Sequence, residues 1–232
     1  MSVGIDKSTS GEKLVAAGQP VVAPRPAARA AGGDTPARSR DGRDRLLAGA
    51  TRLLAERGYA AMELRDVAER GDAPRGSIYH HFPRGKSQLA AEAAALDGVR
   101  TREALEKSLA KHGVKGTLRL FADYFRRQSA RHPELIGCPV AAAALAHPED
   151  PELAAVATAA FESWEAPVTA ALEQEGIAPK DAAAFAALTV STIEGALLRT
   201  RAAGDHAPLD LAVNGLETAF DGLLAKVSDA EA

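Results

Sequence analysis

Between Gly71 and Lys86 the chain reads GDAPRGSIYHHFPRGK, and side chains that bind anions and base edges stand close together in it. Arg75 carries a planar guanidinium that can pair bidentately with a guanine edge, while Ser77 donates or accepts without discriminating. Tyr79 offers a phenolic hydroxyl to a phosphate, and His80 offers a ring nitrogen. Gly76 has no side chain, so a backbone could approach a ligand closely there; it could equally be an ordinary helix-start glycine. Lys86, at the opening of a helix, would add its charge to the partial positive charge of a helix N-terminus. Arg65 lies upstream, and Arg40, Arg43 and Arg84 are further candidates for phosphate contact. This set recognises phosphates and bases; it does not make or break bonds.

The elements that must position these groups are legible around them. Leu64, Val67 and Ala68 recur at i, i+3, i+4 and predict a short helix over LRDVAER. Gly71-Asp72 supplies a turn. Pro74 marks the start of a second short helix, where its missing N–H costs nothing. Ile78 and Phe82, four apart, anchor that helix to a core. Two short helices at a tight turn, with basic and polar groups near the N-terminus of the second, fit a DNA major groove. Upstream, Leu46, Leu47, Ala50, Leu53 and Leu54 form the buried stripe of a helix over Arg40 to Arg57, which Gly58 ends. Tyr59 and Met62 pack back onto it. Met62 occupies the expected cap position of the next helix, where it cannot cap, and Glu63 in the first turn favours the helix dipole.

Other chemistries fare worse. His80 and His81 are adjacent, so on a helix they diverge by about 100° and cannot share a metal ion. His81 reads as a phosphate contact or a core-packing ring. Cys138, the one cysteine, excludes an internal disulfide and any multi-cysteine metal site. It stands before Pro139 at a helix start, a setting that can activate a thiolate, though burial would make it inert. No Gly-rich phosphate loop or nucleophile elbow occurs. No catalytic residue, metal or cofactor is expected, and the chain does not read as an enzyme.

Charge supports the same reading. The net charge is −3 over 232 residues. Residues 38–90 hold eleven Lys and Arg against seven Asp and Glu, a net +4, whereas residues 91–232 hold thirteen against twenty-one, a net −8. A basic segment on an acidic body suits a protein that meets phosphates with one end. Ala and Leu abound and aromatics make up 4% of the chain, which favours helix throughout. No uninterrupted apolar run of membrane-spanning length and no signal-peptide segment is evident, so the expected location is the cytoplasm, with no membrane partner.

Residues 1–38, with Pro20, Pro24, Pro26, Pro36 and Gly32-Gly33, lack periodicity and read as a disordered tail or as a basic arm for extra phosphates. Residues 39–88 form the helix-turn-helix unit. Residues 89–228 read as a helical body: a fourth helix from Lys86 toward Leu109, a break at His112-Gly113, and a fifth from Thr117 to Ala130 closed by His132-Pro133. A short helix follows over 138–147, then a long one over 150–175 that Pro167 should kink. Two more helices span Lys180 to Ala203 and Leu209 to Val227. These last two are apolar on more than one stripe and need a further partner, most simply a second copy of the chain. Phe121, Tyr124, Phe125, Phe161 and Trp164 could line a ligand pocket or simply pack a core.

The stretch L-R-D-V-A-E-R followed by G-S-I-Y-H-H-F-P and Lys86, together with R-L-L-A-G-A-T-R-L-L-A-E-R-G-Y upstream, resembles the DNA-binding domain of the TetR/AcrR family of bacterial transcriptional regulators. The match runs without a gap from Arg45 to Lys86. Pro74 departs from it, standing where the family usually shows a capping Ser. The longer Pro83-Arg84-Gly85 loop, with G-C-P-V at 137–140 and I-E-G-A-L at 193–197, is similar to the LmrA/YxaF-like branch. The resemblance implies an all-α homodimer that reads a palindromic operator and is released from it by a small-molecule effector. An activator, a DNA-binding protein without an inducer, or a ligand-binding protein with a vestigial head would share parts of this pattern.

Overall fold

The computed structural model describes residues 36–131, 137–147 and 149–231; for residues 36–40, 75, 230 and 231 it describes the backbone alone. Residues 1–35 of the expected tail and the His132-Pro133 helix end lie outside the described residues, whereas residues 36–38, expected in that tail, form the start of α1. Eight helices follow in order among those described: α1 (Pro36–Arg57), α2 (Leu64–Arg70), α3 (Arg75–His81), α4 (Lys86–Arg131), α5 (Pro139–Ala144), α6 (Pro151–Gln174), α7 (Pro179–Ala203) and α8 (Ala207–Glu231). The fold is all-α.

The leucine stripe of α1 is fully buried, with Leu46 and Leu53 at 0% exposure. Gly58 ends the helix at φ +76° and returns its N–H to the Leu54 carbonyl at 2.9 Å. The cap of α2 falls on Glu63 rather than on Met62, and Glu63 makes no side-chain capping bond. Met62 is instead a core residue. Between α2 and α3 the left-handed conformation is taken by Asp72 (φ 45°) and not by Gly71. Gly71 is required for space: a Cβ there would sit 3.2 Å from the Arg45 carbonyl of α1.

The expected fourth and fifth helices form one element, α4, broken at Gly113 (φ 65°, ψ −174°). That conformation is essentially restricted to glycine, so the chain can redirect there without losing its course. The segment after the break starts at once, earlier than Thr117. Asp150 caps α6 by accepting the Leu153 N–H at 3.0 Å, and Pro151 fills the first helical position. The helix continues through Pro167 to Gln174.

Two apolar clusters hold the bundle. One joins α1, α2 and α3 (Leu46, Leu53, Val67, Ile78, Phe82) to the start of α4 (Leu89, Ala90, Ala93) and on to Val140, Leu153 and Trp164. The other joins the second half of α4 to α6, α7 and α8 through Leu118, Leu172, Phe185, Leu197, Leu209 and Phe220. Cys138 touches both. Among the described residues α7 alone is long and apolar enough to cross a membrane, with a mean hydropathy of 1.3. Its buried residues Phe185, Ile193 and Leu197 pack in the second cluster with α6 and α8, and it carries Glu194, largely buried.

Candidate nucleic-acid interface

The second short helix begins at Arg75, because Pro74 is its cap, in an extended conformation (φ −60°, ψ 137°). Pro74 cannot cap through a side chain; instead Ser77 turns back, its N–H (2.9 Å) and hydroxyl (2.5 Å) both donating to the Pro74 carbonyl. Ile78 and Phe82 are buried at 1% and 0% and fix one face of α3 in the core. The opposite face carries Gly76, Tyr79 and His80, all exposed, with Tyr79 at 62%. A Cβ at Gly76 would meet nothing within 4 Å. No internal contact therefore demands glycine at the centre of this face. Arg75 stands at the first helical position, and its side chain lies outside the described residues.

The flanking cations divide by partner. Lys86, at the first position of α4, donates to the Ala60 carbonyl at 3.0 Å and lies 4.7 Å from the Tyr59 ring centre. It is half-buried and secures the loop between α1 and α2. Arg65 is exposed and pairs with Asp66 at 3.2 Å, which also receives Arg57 at 2.7 Å; these bonds hold the Asp66 carboxyl below its ordinary range. Arg43 pairs with Glu92 and stacks over Phe82, and Arg84 pairs with Glu152 at 2.7 Å. Both of these therefore tie the basic head to α4 and α6 in this structure. The Arg40 side chain lies outside the described residues. His81 is half-buried beside Phe82, with its ring 3.7 Å from where a Gly42 Cβ would stand, so it packs between α3 and α1.

Further links join head and body. Tyr59 donates its hydroxyl to Asp150 at 3.1 Å, and burial together with that carboxylate raises the Tyr59 pKa. Arg201, near the end of α7, donates to the Ala55 carbonyl at 2.8 Å and to the Glu56 carbonyl. These belong to the last carbonyls of α1, which have no intrahelical donor. Sequence reasoning did not single out Arg201 because nothing local distinguishes it from a solvated arginine.

The aromatic candidates form two groups. Phe121, Tyr124 and Phe125 cluster on α4, with ring centres 4.8 and 5.3 Å apart. Phe161 and Trp164 meet edge-on on α6 at 5.3 Å, and the Trp164 indole N–H donates to the Gly98 carbonyl at 2.8 Å. Trp164 is thus committed to holding α6 against α4. Next to Gly98 stands Asp97, which the sequence reading missed, as it missed the role of Glu194 on α7. Burial pushes the Asp97 carboxyl up to about 6 and that of Glu194 up to about 7. The Cys138 thiol, capping α5 by accepting the Ala141 N–H at 3.4 Å, reaches Glu194, and burial drives its pKa well above the ordinary thiol value. A thiol so placed is protonated and a poor nucleophile. By contrast, the groove between α4 and α8 is crossed by ion pairs, Arg119 to Glu217 at 2.6 Å and Arg126 to Asp210 at 2.5 Å, and is a zipped surface seam.

Comparison with known proteins agrees with this geometry. A family model described as bacterial regulatory proteins, tetR family, matches residues 46–93. A second, the LmrA/YxaF-like transcriptional regulator C-terminal domain, matches residues 110–214. An uncharacterized HTH-type transcriptional regulator of Mycobacterium tuberculosis is 34% identical over 73% of this chain and 89% of its own. The HTH-type regulator YxaF of Bacillus subtilis is 31% identical over 73% of this chain and 90% of its own. A TetR transcriptional regulator from Legionella pneumophila superposes with a TM-score of 0.67 at 22% identity, over 75% of this chain and 95% of its own, and so shares the fold. The chain belongs to the TetR family of DNA-binding transcriptional regulators, in its LmrA/YxaF-like branch.

Proposed function

We propose that this regulator is a repressor that binds a palindromic operator as a homodimer and leaves it when a small molecule occupies the body. Residues 39–88 bind DNA, and residues 89–228 dimerise and hold the effector. The reading rests chiefly on the face of α3: Gly76, Tyr79 and His80 are exposed, and Gly76 is a glycine that no contact within the chain explains. A backbone bare of side chain beside an exposed phenol suits close approach to a phosphate-lined groove. Arg75, Ser77 and His80 would face base edges, Tyr79 and Arg65 the backbone, and Lys86 a phosphate at the start of α4.

Dimerisation is supported by a stripe along the last two helices. Leu188 and Leu198 of α7 and Leu211 of α8 are 50%, 68% and 66% exposed. Ser191, Gly195 and Ala202, also exposed, lie on the same face of α7. Large apolar side chains among small ones make a surface that a second copy would close. Two recognition helices would then lie about one DNA turn apart, roughly 34–36 Å.

Selection of bound sequences from a random double-stranded DNA library, at a fixed salt concentration, tests the reading. Recovery of one palindromic motif is the expected result. Recovery of nothing above background, with the protein shown to be folded, would overturn it.

A further inference from the structure

Arg84 stands in the loop between α3 and α4, and its backbone is pinned while its side chain is not. The Arg84 N–H donates to the Gln88 side chain at 3.0 Å, and Gln88 donates in turn to Glu92 at 2.9 Å, which fixes the main chain against the first turn of α4. Gly85 follows at φ +67°, and the Tyr79 ring lies 3.6 Å from where its Cβ would stand. The loop therefore sits against the exposed phenol of α3. The Arg84 guanidinium reaches out of the head to α6, where one nitrogen donates to both oxygens of Glu152, at 2.9 and 2.7 Å.

Both side chains of this pair are open to solvent, at 61% and 59% exposure. A pair so exposed adds little to stability. Nor does the head depend on it for attachment, because Tyr59 donates to Asp150, the cap of the same helix α6, and Arg201 holds the end of α1. The neighbouring cations are engaged inward: Lys86 donates to the Ala60 carbonyl, and Arg43 pairs with Glu92 and stacks on Phe82. Arg84 is thus the cation beside Tyr79 that can change partner at small cost. A carboxylate and a phosphate diester offer a guanidinium the same feature, two oxygens sharing one negative charge.

We propose that Arg84 binds a backbone phosphate of DNA, and that Glu152 occupies the place of that phosphate at its guanidinium while the protein is free. The proposal deepens the reading of the α3 face as the DNA-contacting surface and rests on it. Binding then exchanges one anion for another. The ion pair with α6 opens, the Arg84 side chain turns to the strand that Tyr79 meets, and the remaining links keep head and body joined. Glu152 acts as a competitor built into the chain. Because a phosphate carries no base information, it weakens binding to every duplex by the same factor.

Titration of the full chain with the selected operator and with an unrelated duplex, over a series of salt concentrations, tests this on the wild type, Glu152→Gln, Arg84→Ala and the variant carrying both changes. Glu152→Gln is expected to bind both duplexes about two- to fivefold tighter, the range of an exposed ion pair. Arg84→Ala should bind both more weakly, and its logarithmic salt slope should shrink by about 0.9, the share of one phosphate. Glu152→Gln should change nothing once Arg84 is absent. No gain from Glu152→Gln, or an unchanged salt slope in Arg84→Ala, would overturn the exchange. So would an equal gain with and without Arg84, because Glu152 would then merely repel DNA. The charge-swapped variant Arg84→Glu, Glu152→Arg keeps an ion pair and removes the phosphate contact, so it remains informative if a single variant misfolds. It should bind about tenfold or more weakly; wild-type affinity would mean that DNA binding needs the pair and not its release. Operator binding by the wild type alongside any of these failures removes the exchange and leaves the regulator intact, whereas a folded wild type that binds no DNA overturns both.

Discussion

The guanidinium of Arg201 donates to the carbonyl of Ala55 at 2.8 Å across 146 positions of sequence, joining the end of α7 to the end of α1. Gly137 makes the junction possible, because a Cβ there would collide with the same Ala55 carbonyl. A cation at a helix C-terminus satisfies carbonyls that the helix leaves open and complements its dipole. Here it also ties α7 directly to the head.

Arg201→Ala is expected to destabilise the fold by about 1 kcal/mol, since the group is partly exposed. Arg201→Lys should not restore it, because an ammonium cannot present two parallel N–H donors. Denaturant unfolding of the three proteins checks this; equal midpoints would remove the junction from the account. Hydrogen exchange should rise selectively at the C-terminal turn of α1.

Gly76→Ala should raise stability by roughly 0.5–1 kcal/mol, because glycine is a poor helix former and open space surrounds the site. The same change should weaken operator binding. Thermal unfolding and DNA titration read the two effects, and they should move in opposite directions. Tyr79→Phe is expected to lower affinity for all sequences alike, whereas Arg75→Ala should also relax base preference.

Asp97 at about 6 and Glu194 at about 7 keep their protons in the folded chain at pH values where the unfolded chain has released them. Stability contributed by these groups is therefore full below their unfolded pKa values near 4 and declines as pH rises toward 7, where it levels off. The loss is on the order of 2 to 3 kcal/mol for each group. Unfolding midpoints of the wild type and of the Asp97→Asn, Glu194→Gln variant, measured from pH 4 to 8, should diverge along that rise. Parallel curves would mean the carboxyls meet water freely.

Leu198→Glu combined with Leu211→Glu should give a monomer with unchanged helix content, because both side chains are exposed and pack nothing within one chain. Sedimentation velocity distinguishes the outcomes. A dimer surviving both charges would place the partner surface elsewhere.

Much of this architecture was legible in the sequence because short-range rules set it. The stripe Leu46 to Leu54 and the pair Ile78 and Phe82 announced their helices by spacing alone, and the structure buries them as expected. The helix-turn-helix boundaries at Leu64–Arg70 followed from the same periodicity. What the sequence hid was long-range pairing. Arg43 and Arg84 read as candidates for phosphate contact, yet they meet Glu92 and Glu152, and Arg84 must cross 68 positions to do so. Asp97 lies in an alanine-rich helix with nothing around it to signal burial; only the fold brings Glu194 near. The cap expected at Met62 moved by one residue to Glu63, and the Met62 side chain, which has no group to cap with, is buried in the core.

The first apolar cluster runs without interruption from Leu46 of α1 through Leu89 and Ala93 to Leu153 and Trp164. A chain cut after residue 88 would therefore divide one interior rather than separate two. Grafting this head onto the body of another regulator would strip Phe82 and Ile78 of their neighbours on α4, exposing surface worth roughly 1.5–3 kcal/mol per large side chain. Recombination by module exchange is thus penalised at this border. Exchange would succeed only if the start of α4, with Leu89, Ala90 and Ala93, travelled with the head into the new protein.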